Sequence, residues 1–267
     1  MTILKLDTIF RQAEESLIVV NAHRINAGEL PELDGKDGDF FFMNRSKAGD
    51  IVKTISALCS KRLPEAYGID AFSDIQVISP SKKGLCGSIN LNHVLQEALN
   101  PDDGLKNEYS YGKILFREGD KVMQRKNNYD IYYTRKLGES GTGIFNGDMG
   151  RIDEISIVDK MMIITFDEEK RVEYPFTQLD ELDLAYAITV HKSQGSEFPY
   201  VIMPAAQFSP MLMCRNLLYT AVTRAKNTVI LVGAREPIEY MTKNGSEKER
   251  YTSLCEKLLK QHNELTF

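Results

Sequence analysis

Short, continuous apolar runs alternate with helix-period stretches at both ends of the chain, and a different rhythm fills the middle. From Thr8 to Asn26 the polar and apolar positions suit a helix, and Gly28 follows where a helix would stop in a left-handed turn. The turn-rich ELPELDGKDG gives way to DFFFMN, a run of buried-strand type. Residues 48–62 return to helical spacing through Ile51, Ile55, Leu58 and Cys59, and DIQVISP predicts another buried strand. LCGSINLNHVLQEALN then predicts a helix ended by Pro101. Uniformly apolar strands that alternate with helices need cover on both faces, which is the pattern of a parallel sheet.

From Phe116 to Asp180 no long helical pattern occurs. Short β runs (DKVMQRK, RIDEISIV, KMMIITF, RVEYPF) are separated by the turn clusters GESGTG, NGD and DEE, which predicts a small antiparallel barrel inserted between two α/β pieces. The α/β rhythm resumes with strands LAYAITV, YVIMPA and TVILVG, a helix at CRNLLYTAVTRAK and a closing amphipathic helix at RYTSLCEKLLKQH. The predicted fold is α/β: residues 1–115 and 183–267 form a parallel sheet flanked by helices, and 116–182 form the inserted barrel.

Composition narrows the picture. A chain of 267 residues, 42% hydrophobic and 27% charged, can bury a core in one large domain or two small ones. No apolar run approaches the ~18 residues of a membrane span, and no secretory segment follows Met1, so a membrane partner is not expected. Cys59, Cys86, Cys214 and Cys255 share no C-x-x-C spacing, which gives neither a zinc site nor a disulfide framework and fits a reducing, cytoplasmic setting. The net charge of −5 argues against a uniformly basic nucleic-acid coat. The charge is uneven, however: residues 183–267 are net positive, and the basic stretch 117–136 carries Tyr129, Tyr132 and Tyr133, which leaves room for a basic groove.

Two segments carry the candidate chemistry. AYAITVHKSQGSEF (185–198) is a buried strand running into a polar loop, where small residues and Gly195 let backbone amides approach phosphate oxygens. An ordinary, solvated β–α turn is the competing reading of the same residues. RNLLYTAVTRAKNTVILVG (215–233) is a helix with Arg224 close to its end, leading into a buried strand. Such an arginine is either a rigidly presented charge for phosphoryl transfer or a helix C-terminal cation that complements the dipole.

On these residues the chain resembles superfamily 1 DNA helicases. TVHKSQGSEF is similar to their motif V and LLYTAVTRAK to their motif VI, in the form found in the RecD-like 5′→3′ helicases, the exodeoxyribonuclease V alpha-subunit family. LDTIFRQAEESLIVVNAHRINAGELP resembles the segment that holds the motif IV arginine, here Arg11; VISPSKKGLCGSINLNHVLQEALNP and GDKVMQRKNNYD…IFNGDMGRI resemble the next block and the SH3-like insertion. No G-x-x-x-x-G-K-[ST] occurs anywhere in the chain, nor the family's Walker B acidic pair or motif III glutamine.

The resemblance therefore implies a RecA-like domain 2A with an SH3-like insertion 2B, the C-terminal motor half of a helicase whose N-terminal RecA-like domain lies ahead of Met1. It implies ATP and Mg2+ shared with that domain, no metal ligand in this chain, and no ATPase activity from this chain alone. By residue, it implies Arg11 and Arg224 as charge-stabilising groups at the γ-phosphate, with Gln194, Gly195 and Glu197 shaping the nucleotide side. Single-stranded DNA would meet Ser79, Ser81, Lys82, Thr189, His191 and Ser193, and Arg125, Asn128 and Tyr129 on the barrel. His191 as a satisfied structural histidine and Tyr132 and Tyr133 as barrel packing remain open alternatives. Subunits of a nuclease complex are possible further partners. The competing function is a non-catalytic single-strand-binding or scaffold protein built on the same fold.

Overall fold

The computed structural model describes residues 16–35, 37–135, 138–167 and 169–245, together with 253 and 257. The first segment runs through helix α1 (Leu17–Ala27), strand β1 (Phe40–Asn44), helices α2 (Ala48–Ala57) and α3 (Leu63–Tyr67), strand β2 (Ile75–Ser79) and helix α4 (Ser88–Leu99). Helix α1 stops where the sequence says it should. Gly28 takes φ +83°, its amide reaches Ile25 O, and the Glu29 amide reaches Arg24 O, which satisfies two terminal carbonyls. The helical spacing of 48–62 extends further than expected, because a π turn at Leu58–Arg62 carries α2 into α3.

The middle segment supplies the hairpin β3 (Glu108–Tyr111) and β4 (Ile114–Arg117), then β5 (Lys121–Gln124), β6 (Asn128–Thr134), β7 (Ser140–Ile144), β8 (Met149–Ser156), β9 (Met161–Phe166), β10 (Lys170–Pro175) and β11 (Leu182–Leu184). The last segment holds β12 (Ala187–Thr189), β13 (Phe198–Ala205), α5 (Arg215–Val222), β14 (Ala225–Gly233) and α6 (Arg235–Lys243). Strands β1-β14-β13-β2-β12 form a wholly parallel sheet. Every residue of β2 is buried, Gln76 among them, whose side-chain amide donates to Ala185 O (3.0 Å) and Tyr186 O (3.2 Å). Ile18, Ala22 and Ile25 of α1, with Leu218 of α5 and Ile238 of α6, cover one face; Ile51 and Ile55 of α2, with Leu91 and Leu95 of α4, cover the other. Each fully buried isoleucine or leucine among these contributes about 1.5–3 kcal/mol.

The inserted unit is a seven-stranded antiparallel sheet, β11-β5-β8-β9-β10-β6-β7, wrapped around Ile152, Ile164, Phe166, Val172 and Tyr174. Alternation is clean in β9, where Met162, Ile164 and Phe166 point inward. The structure corrects the sequence reading at several points. GESGTG, read as a turn cluster, contains most of β7, which pairs with β6 and sets Gly141 opposite Tyr133, too close to its ring for a Cβ. LAYAITV is shorter than predicted: β12 covers three residues, and Leu184 already belongs to β11 on the other sheet. The β3–β4 hairpin straddles the 115/116 boundary and packs on the barrel through a Tyr109–Phe176 ring stack. Helix α6 was not anticipated, and the proposed 250–262 helix lies outside the described residues apart from 253 and 257. Among the described residues, no helix is long and apolar enough to cross a membrane.

Two consecutive residues at the barrel entrance join the two units. The fully buried Asp120 carboxylate accepts from Gln96 Nε2 (2.6 Å), Asn100 Nδ2 (2.8 Å), Tyr186 Oη (2.9 Å) and the Arg117 amide (2.8 Å). Burial raises its pKa, and these donors work against that rise. Lys121 Nζ, also buried, donates to Phe72 O (2.6 Å) and Ile75 O (3.3 Å) at the start of β2. Burial pushes Lys121 down to about 8. The unfolded chain, with an ordinary value of 10.5, therefore binds more protons between those two values, and stability rises with pH across that window. Urea unfolding near pH 7.5 and near pH 10 should show the wild type gaining about 2–3 kcal/mol relative to Lys121→Met as pH rises. A pH-independent difference would contradict a buried ammonium here.

Candidate functional site

The connection from β12 to β13 crosses the sheet from one edge to the other. It leaves the carboxyl end of β12 beside β2, makes a 3₁₀ turn at Val190–Ser193, and re-enters at Phe198, the amino end of β13. Ser193 is fully buried and its Oγ donates to Val190 O (2.8 Å), while the Ser196 amide closes the turn on Ser193 O (3.1 Å). Gly195 takes φ +89°, a left-handed conformation that glycine adopts without strain and that no atom crowds.

At the amino edge this loop meets the end of α5. Arg224 Nη1 donates to Ser196 O (3.1 Å), Nε to Thr220 O (3.1 Å) and Nη2 to Thr223 Oγ1 (3.3 Å). The Phe198 amide in turn reaches Arg224 O (2.9 Å), so loop and arginine brace each other. Glu197 lies 3.9 Å from Lys226 Nζ. The bond to Thr220 O agrees with the dipole-complementing reading of Arg224, and the bond to Ser196 O goes beyond it, because it joins the two segments that the sequence singled out separately. Gln194, Gly195, Glu197 and Arg224 are thus brought together; Arg11 lies outside the described residues.

At the carboxyl edge the picture is different. Ser79 is fully buried and its Oγ donates to Cys86 O (2.8 Å), so its hydroxyl shapes the loop after β2 and is not presented to a ligand. The same correction applies to Ser193, whose hydroxyl is consumed internally, and Thr189 is nearly buried. Ser81 Oγ is spent on Lys83 O (3.1 Å). Lys82 remains at the rim, and His191 is exposed. A groove of about 720 Å³ runs over this edge between the ends of β1, β14, β13 and β2, bordered by Arg45, Ser81, Lys83 and Phe208.

On the barrel, Tyr129 is 64% exposed and meets Phe145 edge-on at 5.6 Å, which leaves an aromatic face open. Asn128 does not join it. Its amide donates to Gln178 Oε1 (3.2 Å) and Glu181 Oε2 (3.0 Å), and its Oδ1 caps the Ile131 amide (3.1 Å), so it holds the barrel turn together. Arg125 Nε pairs with Asp183 at 3.1 Å. Lys192, which the sequence reading left unassigned within its loop, bridges to the barrel through Asn146 Oδ1 (2.5 Å) and Arg125 O (3.2 Å). Phe145 and Asp183 were also missed; nothing local in IFNGD or LDELDL distinguishes them from turn and strand residues. Among the described residues, no group of three His, Cys, Asp or Glu is placed to hold a metal ion.

Comparison with known proteins adds to this geometry. Residues 91–166 match the ATP-dependent RecD-like DNA helicase SH3 domain, and residues 184–232 match the UvrD-like helicase C-terminal domain. The chain is 29% identical over 255 residues to the ATP-dependent RecD2 DNA helicase of Deinococcus radiodurans, covering 96% of this chain and 32% of that protein. It is 24% identical over 169 residues to the RecBCD enzyme subunit RecD of Buchnera aphidicola, covering 63% of this chain and 26% of that protein. The Pif1 helicase from Bacteroides, solved with ADP-AlF3 and ssDNA, shares the fold at a TM-score of 0.52 and 16% identity, over 98% of this chain and 57% of that one. The chain spans about a third or less of these two sequence relatives. The parallel sheet is RecA-like, the inserted barrel is SH3-like, and the chain is a relative of the RecD-like DNA helicases.

Proposed function

We propose that this chain works as the second motor domain and barrel of an ATP-dependent 5′→3′ DNA helicase, paired with a RecA-like domain that carries the P-loop. One observation supports this most. The eight-residue connection 190–197 runs from the carboxyl edge of the sheet, where its Lys192 lines a pocket with Lys82 and Arg125, to Arg224 at the amino edge. A shift of the loop at one edge must move the other, because little slack exists between β12 and β13.

The residues fit one half of an ATP site. Arg224 is held at fixed orientation by main-chain and hydroxyl acceptors, Gly195 leaves open space beside the loop, and Glu197 stands alongside. ATP with Mg2+ supplies phosphoryl transfer to water; the P-loop domain would hold most of it. This chain's part is to place the Arg224 guanidinium, and Arg11 with it, against charge that develops on the transferring phosphoryl group. Single-stranded DNA would lie along the carboxyl edge, with Lys82 and His191 at its backbone and Tyr129 stacking on a base. A cytoplasmic setting and nuclease-complex partners belong to the same reading of the whole protein.

Joined to a P-loop-bearing RecA-like domain, the chain should hydrolyse ATP at a rate that single-stranded DNA stimulates, and the chain alone should not. Tight single-strand binding by the chain alone in moderate salt, with no ATPase on joining, would favour the scaffold reading instead.

A further inference from the structure

A pocket of about 250 Å³ opens where the barrel meets the parallel sheet. Three cations line it from three different elements: Lys82 after β2, Arg125 after β5 and Lys192 in the β12–β13 loop. One carboxylate, Asp183 of β11, stands among them. Arg125 Nε holds it at 3.1 Å, and all three cations act on it electrostatically. The first two amides of α4, at Ser88 and Ile89, also face this region but are spent on Ser81 O and Lys82 O, so the cationic side chains are what the pocket has to offer.

The local charge does not balance. Three cations surround one acid, which leaves room for a further anion of one or two charges. Burial disfavours the charged forms of both Asp183 and Lys192, and the neighbouring Arg125 and Lys82 charges push Lys192 further down. Lys192 is fixed by Asn146 and the Arg125 carbonyl, so its position depends on the barrel staying docked.

We infer that Lys82, Arg125 and Lys192 form a seat for one phosphate group, and that Asp183 is a built-in competitor that keeps the hold on it weak. The ligand in the working protein would be one phosphodiester of a single strand, so this part rests on the function proposed above; the seat itself is a property of the chain. A motor that steps along a strand must release each phosphate, and an internal carboxylate that retakes the cations shortens the time spent bound.

The test uses the full chain, a labelled oligothymidylate followed by anisotropy, and inorganic phosphate followed by calorimetry. Asp183→Asn should tighten oligothymidylate binding roughly three- to tenfold and bring inorganic phosphate into a measurable range. Lys192→Gln should weaken oligothymidylate binding and lower the slope of log affinity against log salt by about 0.7, one phosphate contact. Unchanged or weaker oligothymidylate binding in Asp183→Asn with no gain in inorganic phosphate binding, or, where oligothymidylate binds, an unchanged salt slope in Lys192→Gln, would overturn the inference. If Asp183→Asn gains phosphate while no variant binds oligothymidylate, the seat stands and the single-strand reading falls. Should Asp183→Asn fail to fold, the salt slope of Lys192→Gln decides.

Discussion

Replacing Arg224 by alanine, in a protein that joins this chain to a P-loop-bearing RecA-like domain, should lower ATP turnover about 10³–10⁵-fold while leaving single-strand affinity within about twofold. The separation follows from where the residue sits. Arg224 is at the amino edge of the parallel sheet, with its guanidinium on Ser196 O and Thr220 O, whereas Lys82, Lys192 and the groove beside Ser81 are at the other edge. Arg224→Lys should recover little of the loss, because an ammonium on a flexible stem cannot hold three acceptors in one plane. Turnover near that of the parent in either variant would remove Arg224 from the phosphoryl-transfer role. A matched loss of DNA affinity would mean that the residue only braces the loop.

The second large effect is on the joint between sheet and barrel. Asp120→Ala should destabilise the chain by about 3–5 kcal/mol, since the buried donors of Gln96, Asn100 and Tyr186 would lose their acceptor at about 1–3 kcal/mol each. Asp120→Asn preserves the shape and one acceptor oxygen, and should cost less. Urea unfolding followed by both tyrosine fluorescence and circular dichroism would measure the effect. A loss below about 1 kcal/mol for alanine would show that the joint is not held by this network. Asp120 and Lys121 tie the start of the barrel to α4, to Tyr186 and to the residues entering β2.

Much of this architecture is legible in the sequence. DIQVISP and TVILVG announce buried parallel strands because apolar residues fall on both faces and do not simply alternate, and Gly28 marks a helix end because its φ must be positive. What was hidden depends on contacts far apart in the chain. The strand nature of Ser140–Ile144 is invisible locally, as its glycines read as turn chemistry, whereas Gly141 lies against the Tyr133 ring and Gly143, at φ +104°, against Phe145. Ser79, Ser193 and Asn128 carry polar groups that look available in a linear reading, yet the two hydroxyls are used up within their own loops and the Asn128 amide is taken by Gln178 and Glu181. Arg224 and Ser196 are separated by a strand, and their contact could only come from the fold. The general rule that ligands gather at the carboxyl ends of strands points to the groove side; the Arg224 cluster lies at the opposite edge, where the loop re-enters the sheet.

The proposed function requires that a strand-gripping edge and a phosphate-sensing edge belong to one motor moving in one direction. Unwinding by the joined protein of two duplexes, one with only a 5′ single-stranded tail and one with only a 3′ tail, tests it most directly. ATP-dependent unwinding of the 5′-tailed duplex is expected, lost in Arg224→Ala, with little activity on the 3′-tailed one. Preference for the 3′ tail, or no unwinding of either by a folded protein that binds single strands, would contradict it.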